Sequence, residues 1–261
     1  MIFLKLGGSL ITDKAKANTA RLDVIDRIAN EIAAFLQEQP ETALLIGHGS
    51  GSFGHAAAAE FQTQLGADGR QQWAGFTDVW AAAQALNRLI VDGLRGAGIH
   101  ALSLPPSASA VCQDGELVEL AVEPIQRTLS AGVIPIVYGD VAVDRKRGAT
   151  IVSTEQVLAF LVDTLQPGRI LLAGNEAGVY GDYPIRQQLL DTLSLADLEA
   201  ITLLGADSAD VTGGMADKVR RALALVERWP SLEIRIFSGQ EPGSIGSALR
   251  GQAFGTRILP T

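Results

Sequence analysis

The chain has 261 residues, 47% of them hydrophobic and 19% charged. That apolar share builds a sizeable core, and charge below the usual ~25% argues against a disordered chain. There are 21 basic and 29 acidic residues, a net charge of −8, so a broad basic face for nucleic acid or an anionic membrane is not expected. One domain per ~150 residues is a soft prior, and the length suits one large α/β domain or two lobes sharing a sheet. The single cysteine, Cys112, can form no intramolecular disulfide, which suits a reducing compartment. The N-terminus lacks the basic and long apolar regions of a signal peptide, and no apolar run approaches ~18 residues. The expectation is a soluble, cytoplasmic protein without a membrane span or a nucleic-acid partner.

Residues 2–6 form a short apolar run stopped by Gly7-Gly8, the pattern of a buried strand. Val24, Ile25, Ile28, Ile32, Phe35 and Leu36 fall at helical offsets, predicting a helix over 22–36. A second apolar strand is predicted at 43–46. A helix over 76–94 follows, through Val79, Ala83, Leu86, Leu89, Ile90 and Leu94. The strand expected at 99–104 is closed by Pro105-Pro106. Asp114-Gly115 reads as the turn of a hairpin joining 110–113 to 116–120. A helix is predicted over 123–130 and a β-branched strand over 133–138, ahead of Gly139-Asp140. Residues 141–143 and 149–152 flank a basic turn and read as a second hairpin. Ser153 and Gln156 form a capping box that opens a helix running to 165. Strands at 169–173, 233–237 and 255–259 alternate with helices within 212–229 and over 244–249.

Several of these strands are apolar throughout, as expected when both faces of a parallel sheet are covered. The expected fold is α/β: a three-layer α/β/α sandwich on a mainly parallel sheet, with inserted β-hairpins. It forms a single domain over 1–261, with lobes 1–166 and 167–261 meeting at Pro167-Gly168.

Glycine is the compositional anomaly: there are 28, roughly 11% against a usual ~7%. They cluster in Gly7-Gly8-Ser9, in the loop GHGSGSFGH over 47–55, and in Gly213-Gly214. Ligands of α/β sheets bind at the carboxyl ends of strands. Glycine there lets backbone N–H groups close on an anion. Three such loops imply a ligand with several phosphates, or two phosphorylated ligands. Residues 49–54 match G-x-G-x-x-G, but no second strand precedes Asp68, and the Walker pattern occurs nowhere.

The cations are the second signal. Lys5 lies inside an apolar strand, where it either snorkels to solvent or faces a phosphate. Lys14 sits in a polar loop. Lys218 falls in a first helical turn, which the helix dipole disfavours unless an anion is near. His55 closes the second glycine loop, where an imidazole can meet a phosphate. His48 and His100 read as structural. Cys112 reads as a buried, inert thiol. No metal-ligand spacing stands out; Asp140 is the one acid worth noting, and its plain role is to cap the loop after its strand.

The segments GGSLITDK (7–14), HGSGSFGH (48–55), Tyr138-Gly139-Asp140 and Thr212-Gly213-Gly214-Met215, with Lys218, occur in this order and spacing. Together they resemble the isopentenyl phosphate kinases of the amino acid kinase superfamily, over essentially the whole chain. The SGSFGH ending is shared chiefly with the related fosfomycin kinases. The resemblance implies transfer of a phosphoryl group from ATP to isopentenyl phosphate, with Mg²⁺, by a homodimer. It places the acceptor in the first lobe and the nucleotide in the second. It implies that Lys5, Gly7, Gly8 and Ser9 contact the transferring phosphates and that Lys14 stabilises the transition state. Gly49, Ser50 and Gly51 line the junction of the two substrates, with Gly51 also touching the nucleotide. His55 and Gly139 face the acceptor, and Gly214 and Lys218 hold ATP. Lys5, Lys14, His55 and Lys218 form the catalytic set. Asn175 is counted with the nucleotide-binding residues, although Asn175 and Ala177 stand where relatives commonly carry aspartates. Asp78 stands where a histidine is frequent.

Such a reaction needs in-line positioning and cations rather than a general base, because a phosphate acceptor near neutral pH carries no proton to remove. The stripe Phe76, Val79, Trp80, Ala83 and Leu86 either walls a pocket for a five-carbon chain or packs the core. A fosfomycin-type or other small phosphate or phosphonate kinase is the alternative of the same fold. A non-catalytic nucleotide sensor is the alternative of another class.

Overall fold

The computed structural model describes residues 1–53, 66–67, 69–182, 185–198 and 215–261. In chain order its elements begin with β1 (Ile2–Leu6), α1 (Gly8–Ile11), α2 (Leu22–Glu38), β2 (Leu44–His48), α3 (Arg70–Gly96) and β3 (Ala101–Ser103). After a short 3-10 helix (Pro106–Ala108) come β4 (Val111–Gln113), β5 (Glu116–Glu119), α4 (Glu123–Ser130), β6 (Ile134–Tyr138), β7 (Asp140–Asp144) and β8 (Gly148–Val152). The last part holds α5 (Thr154–Leu165), β9 (Arg169–Gly174), β10 (Thr192–Leu193), α6 (Met215–Arg228), β11 (Glu233–Ser238), α7 (Ser244–Leu249) and β12 (Thr256–Ile258).

The main sheet has the order β10-β12-β11-β9-β1-β2-β6-β3. All its pairings are parallel except β11 with β12. The sheet is continuous across the Pro167-Gly168 break, because β1 pairs directly with β9. β1, β2 and β6 are buried at every position, which is why their sequences show no polar alternation. Ile2, Leu4 and Leu6 pack towards α2 and α7, through Ile28, Ile32, Phe35 and Ile245. Phe3 packs on the opposite face with Leu158 and Leu161 of α5 and Leu223 and Val226 of α6. The two-residue period of a strand therefore sends Lys5 to the Phe3 face, towards α5 and α6.

The capping box forms as expected. Gln156 N donates to Ser153 Oγ at 3.1 Å, and Ser153 N donates to Gln156 Oε1 at 2.9 Å. Both predicted hairpins form, and a parallel pairing of β4 with β7 joins them into a separate sheet, β5-β4-β7-β8. Asp144 ties their turns together by accepting the N–H groups of Asp114, Gly115, Lys146 and Arg147 at 2.7–3.1 Å. Burial works against its charge, but these bonds hold its carboxyl below the ordinary value.

α3 begins at Arg70, six residues before the predicted start. Its first residues, Arg70 to Ala74, are exposed, so no apolar period marks them. The strand expected at 99–104 contracts to Ala101–Ser103 at the sheet edge. α1, β10 and the 3-10 helix were not anticipated; each is shorter than any period could reveal. Among the described residues, no helix is long and apolar enough to cross a membrane.

Candidate active site

The carboxyl ends of β1, β2, β6 and β9 lie along one edge of the parallel sheet. The first two glycine clusters meet there. A Cβ added to Gly8 would lie 2.2 Å from Gly51 N, so the loops after β1 and β2 touch backbone to backbone. Gly51 has φ +56°, and a Cβ there would strike Thr12 Oγ1 at 2.0 Å. Thr12 is the latch between the loops: its hydroxyl donates to Gly8 O at 2.7 Å and accepts from Ser52 N at 2.9 Å. Ser50 lies beside Gly139 at the end of β6, with its Oγ 3.5 Å from Gly139 O. Gly7, Gly8, Ser9, Gly49, Ser50, Gly51 and Gly139 are thus brought together.

The cations gather on the β9 side of these loops. Lys5, Lys14 and Lys218 line one cavity of about 180 Å³, with Ser9, Gly174 and Asn175. Lys5 Nζ donates to Glu155 Oε1 at 2.7 Å, and the side chains are only 5% and 14% exposed. Burial alone pushes the Glu155 carboxyl up, but the charges of Lys5 and Lys218 and the Lys5 hydrogen bond bring it below its ordinary value. One carboxylate therefore sits in the field of two of the three lysines. Lys14 is exposed at the rim, on the loop that Asp13 N closes by donating to Thr19 O at 2.9 Å.

Sequence reasoning missed Glu155. An acid in the first turn of a capped helix reads as a complement to the helix dipole. Its partner lies 150 positions away, so no local signal marks it. It also missed Thr154, whose buried hydroxyl donates to His48 O at 2.6 Å. Adjacent residues of the first turn of α5 thus anchor the end of β2 and hold Lys5.

His48 is structural, as expected. Its ring stacks on Tyr138 with centroids 4.9 Å apart, and Nε2 lies 3.3 Å from Asn87 Oδ1. Burial pushes this imidazole down to about 4, so it is neutral at physiological pH. Asp140 caps the 3-10 helix by accepting Ser107 N at 3.0 Å, and burial raises its carboxyl. Cys112 is fully buried and its thiol is pushed up to about 11, by burial first and then by Asp144 and Glu116. His55, Gly213 and Gly214 lie outside the described residues.

The stripe on α3 divides. Phe76 and Val79 join Ala67, Val141 and Ala149 in a small apolar cluster under the second sheet, whereas Leu86 belongs to the main core. Trp80 is 44% exposed and lines neither. Asp78 is also exposed. Larger cavities exist: one of about 430 Å³ between the ends of α2, α3 and α4, and one of about 590 Å³ along α3 and β3. Neither holds the lysines or the glycine loops, so chemistry rather than volume selects the smaller site.

This arrangement of parallel sheet, paired glycine loops and convergent lysines has a family. The chain belongs to the amino acid kinase family, whose sequence pattern matches residues 1–238. Within it, the chain is 36% identical to the isopentenyl phosphate kinase of Methanothermobacter thermautotrophicus, over 99% of this chain and 98% of that protein. An isopentenyl phosphate kinase crystal structure superposes with a TM-score of 0.85 at 32% identity, covering 99% of both chains. The product complex of the Thermoplasma acidophilum isopentenyl phosphate kinase superposes at 0.78 with 26% identity, again over 99% of each chain.

Proposed function

We propose that the chain is a kinase that transfers the terminal phosphoryl group of ATP to isopentenyl phosphate, giving isopentenyl diphosphate and ADP. The observation that carries this reading is the convergence of Lys5, Lys14 and Lys218 on two glycine loops packed backbone to backbone. Such a site offers cations and N–H donors to the oxygens that gather charge during phosphoryl transfer. The relatives named isopentenyl phosphate kinase supply the acceptor's identity.

In this reading, Lys5 and Lys218 hold the ATP phosphates, with Glu155 fixing the Lys5 ammonium. Lys14, free to move at the rim, follows the transferring group. Gly7, Gly8 and Ser9 contact the nucleotide phosphates from the β1 loop, and Gly51, Asn175 and Gly214 complete the nucleotide side. Gly49, Ser50, Gly139 and His55 receive the acceptor. The acceptor is already an anion, so attack needs alignment and no general base. Residues 1–166 serve the acceptor and 167–261 the nucleotide within one domain. The enzyme works in the cytoplasm as a homodimer.

Mg²⁺ fits the cavity as a companion of the nucleotide. Among the described residues no three His, Cys, Asp or Glu side chains form a metal cluster, and the cavity of Lys5, Lys14 and Lys218 has one carboxylate in its lining, Glu176, which is paired with Arg186. An ion held mainly by nucleotide oxygens and water suits that donor set, and it would neutralise charge between the phosphates.

The test is ADP release from Mg-ATP with isopentenyl phosphate, dimethylallyl phosphate, fosfomycin, glutamate, acetylglutamate and UMP offered separately. Isopentenyl phosphate is expected to turn over fastest. Faster turnover of fosfomycin would move the assignment to a phosphonate kinase, and ATP binding with no turnover of any acceptor would make the protein a sensor.

A further inference from the structure

Lys14 is exposed, but the loop that carries it is held at its stem. The two sides of the stem meet at an antiparallel bridge between Thr12 and Ala20, and Asp13 N donates to Thr19 O at 2.9 Å. Residues 14–18 between them are exposed, so the loop has no buried anchor of its own. What holds it is Ser52, from the glycine loop after β2. Ser52 N donates to Thr12 Oγ1 at 2.9 Å, and Ser52 O accepts from Asn18 N at 3.2 Å. Ser52 Oγ accepts from Thr19 N at 3.3 Å and donates to Thr19 O at 3.4 Å. Every polar group of Ser52 is thus spent on the stem of the Lys14 loop, and both Ser52 and Thr12 are buried.

An exposed polar loop is ordinarily among the least stable parts of a fold. Here it is tied to a second loop far away in the chain. Thr12 extends the tie to a third segment, because its hydroxyl also donates to Gly8 O in the loop after β1. The backbone of Lys14 is therefore referenced to both glycine loops at once. Phosphoryl transfer is governed by positioning. A cation that follows the moving group needs a fixed base from which its side chain can reach, since ordering a loose loop as well would cost further entropy.

We propose that Ser52 and Thr12 are positioning residues that clamp the stem of the Lys14 loop to the two glycine loops, so that the Lys14 ammonium meets the phosphoryl group in transit at a set place. The proposal rests on the role given to Lys14 in the function proposed above. The Ser52 hydroxyl acts through Lys14, since both of its bonds go to the stem.

Two measurements on the full chain test it, with thermal melts to check folding. In the first, tryptic cleavage after Lys14 and Lys16 is timed by mass spectrometry for the native protein, Ser52→Ala, Thr12→Val and Thr12→Ser. Cleavage of a closed loop follows its local opening. Ser52→Ala is expected to speed it about fivefold, the size of one hydrogen bond. Thr12→Val should speed it at least as much, and Thr12→Ser, which keeps the hydroxyl, should restore the native rate. The second measurement is a double-mutant cycle on kcat with Mg-ATP and isopentenyl phosphate. Ser52→Ala is expected to lower kcat about fivefold and to leave the KM for ATP unchanged. In a Lys14→Ala background it should lower kcat no further. An equal loss in both backgrounds, which a merely structural Ser52 would give, overturns the proposal. So does a native cleavage rate or a native kcat in Ser52→Ala. If Thr12→Val does not fold, Ser52→Ala carries both tests. A native chain that turns over no isopentenyl phosphate would instead sink the function reading, and the tryptic rates would still decide whether the clamp holds the loop.

Discussion

The two sides of the site are built on opposite principles. On the β9 side, three lysines line a small cavity beside the glycine loops, and Glu155 holds one of them, Lys5. On the α3 side, Phe76 and Val79 pack against Val141 and Ala149, and an uncharged His48 stacks on Tyr138. Under the proposed function, the first region would act by charge placed where phosphate oxygens change their charge, and the second by shape and by excluding water. Substitutions should separate them: charge variants on the first side should act on kcat and nucleotide affinity, apolar trimming on the second should act on acceptor KM.

The largest effect is expected from the Lys5–Glu155 pair. Glu155→Ala leaves Lys5 buried without its partner, a loss on the order of 3–5 kcal/mol in stability. Denaturant unfolding should show it, together with a collapse of kcat. Unchanged stability would mean that the pair is not closed in solution. The depressed Glu155 carboxyl sets the sign of the pH dependence: the pair's contribution is present above the ordinary glutamate value of 4.5 and is lost as pH falls through the lower folded value.

Lys14→Ala should follow. It removes one transition-state donor from an exposed position, so the fold stays intact while kcat falls by ~10²–10³. Steady-state kinetics with normal melting would establish this, and a normal kcat would return Lys14 to solvated surface.

The neutral side has its own signature. His48 is held at about 4 against an ordinary 6.5, so the unfolded chain binds the extra proton between those values. Its contribution to stability is complete above about 6.5 and is lost as pH falls towards 4, at up to about 1.4 kcal/mol per unit. Compared with His48→Gln, the native protein should lose stability more steeply across that window. Parallel pH curves would place a charged His48 in the fold and erase the contrast between the two regions.

The smallest expected effect is Val79→Ala, which trims the apolar cluster at a cost of about 1 kcal/mol. The KM for isopentenyl phosphate should rise several-fold while ADP affinity stays the same. A change in ADP affinity instead would show that the two regions are not separable.

The glycine loops after β1 and β2, the capping box before α5 and the out-of-place Lys5 were legible from local patterns. Each is a local constraint: a turn or close approach that needs glycine, a cap four residues long, a charge inside an apolar run. The division of the α3 stripe was not, because helical spacing says which residues share a face and not which sheet that face meets. Nor was the start of α3, whose first turns bury nothing.

Composition, periodicity and turn chemistry determined the class of fold, the order of its elements and the glycine loops at the strand ends, because these depend on residues near each other in the chain. Only the tertiary structure decided which carboxylate holds Lys5, that Gly8 and Gly51 pack together, that two hairpins merge into a second sheet, and that Asn175 Nδ2 donates to Ser9 O across the strand ends. Those contacts span tens to more than a hundred residues, and their geometry exists only once the parallel sheet has brought the strand ends to one edge.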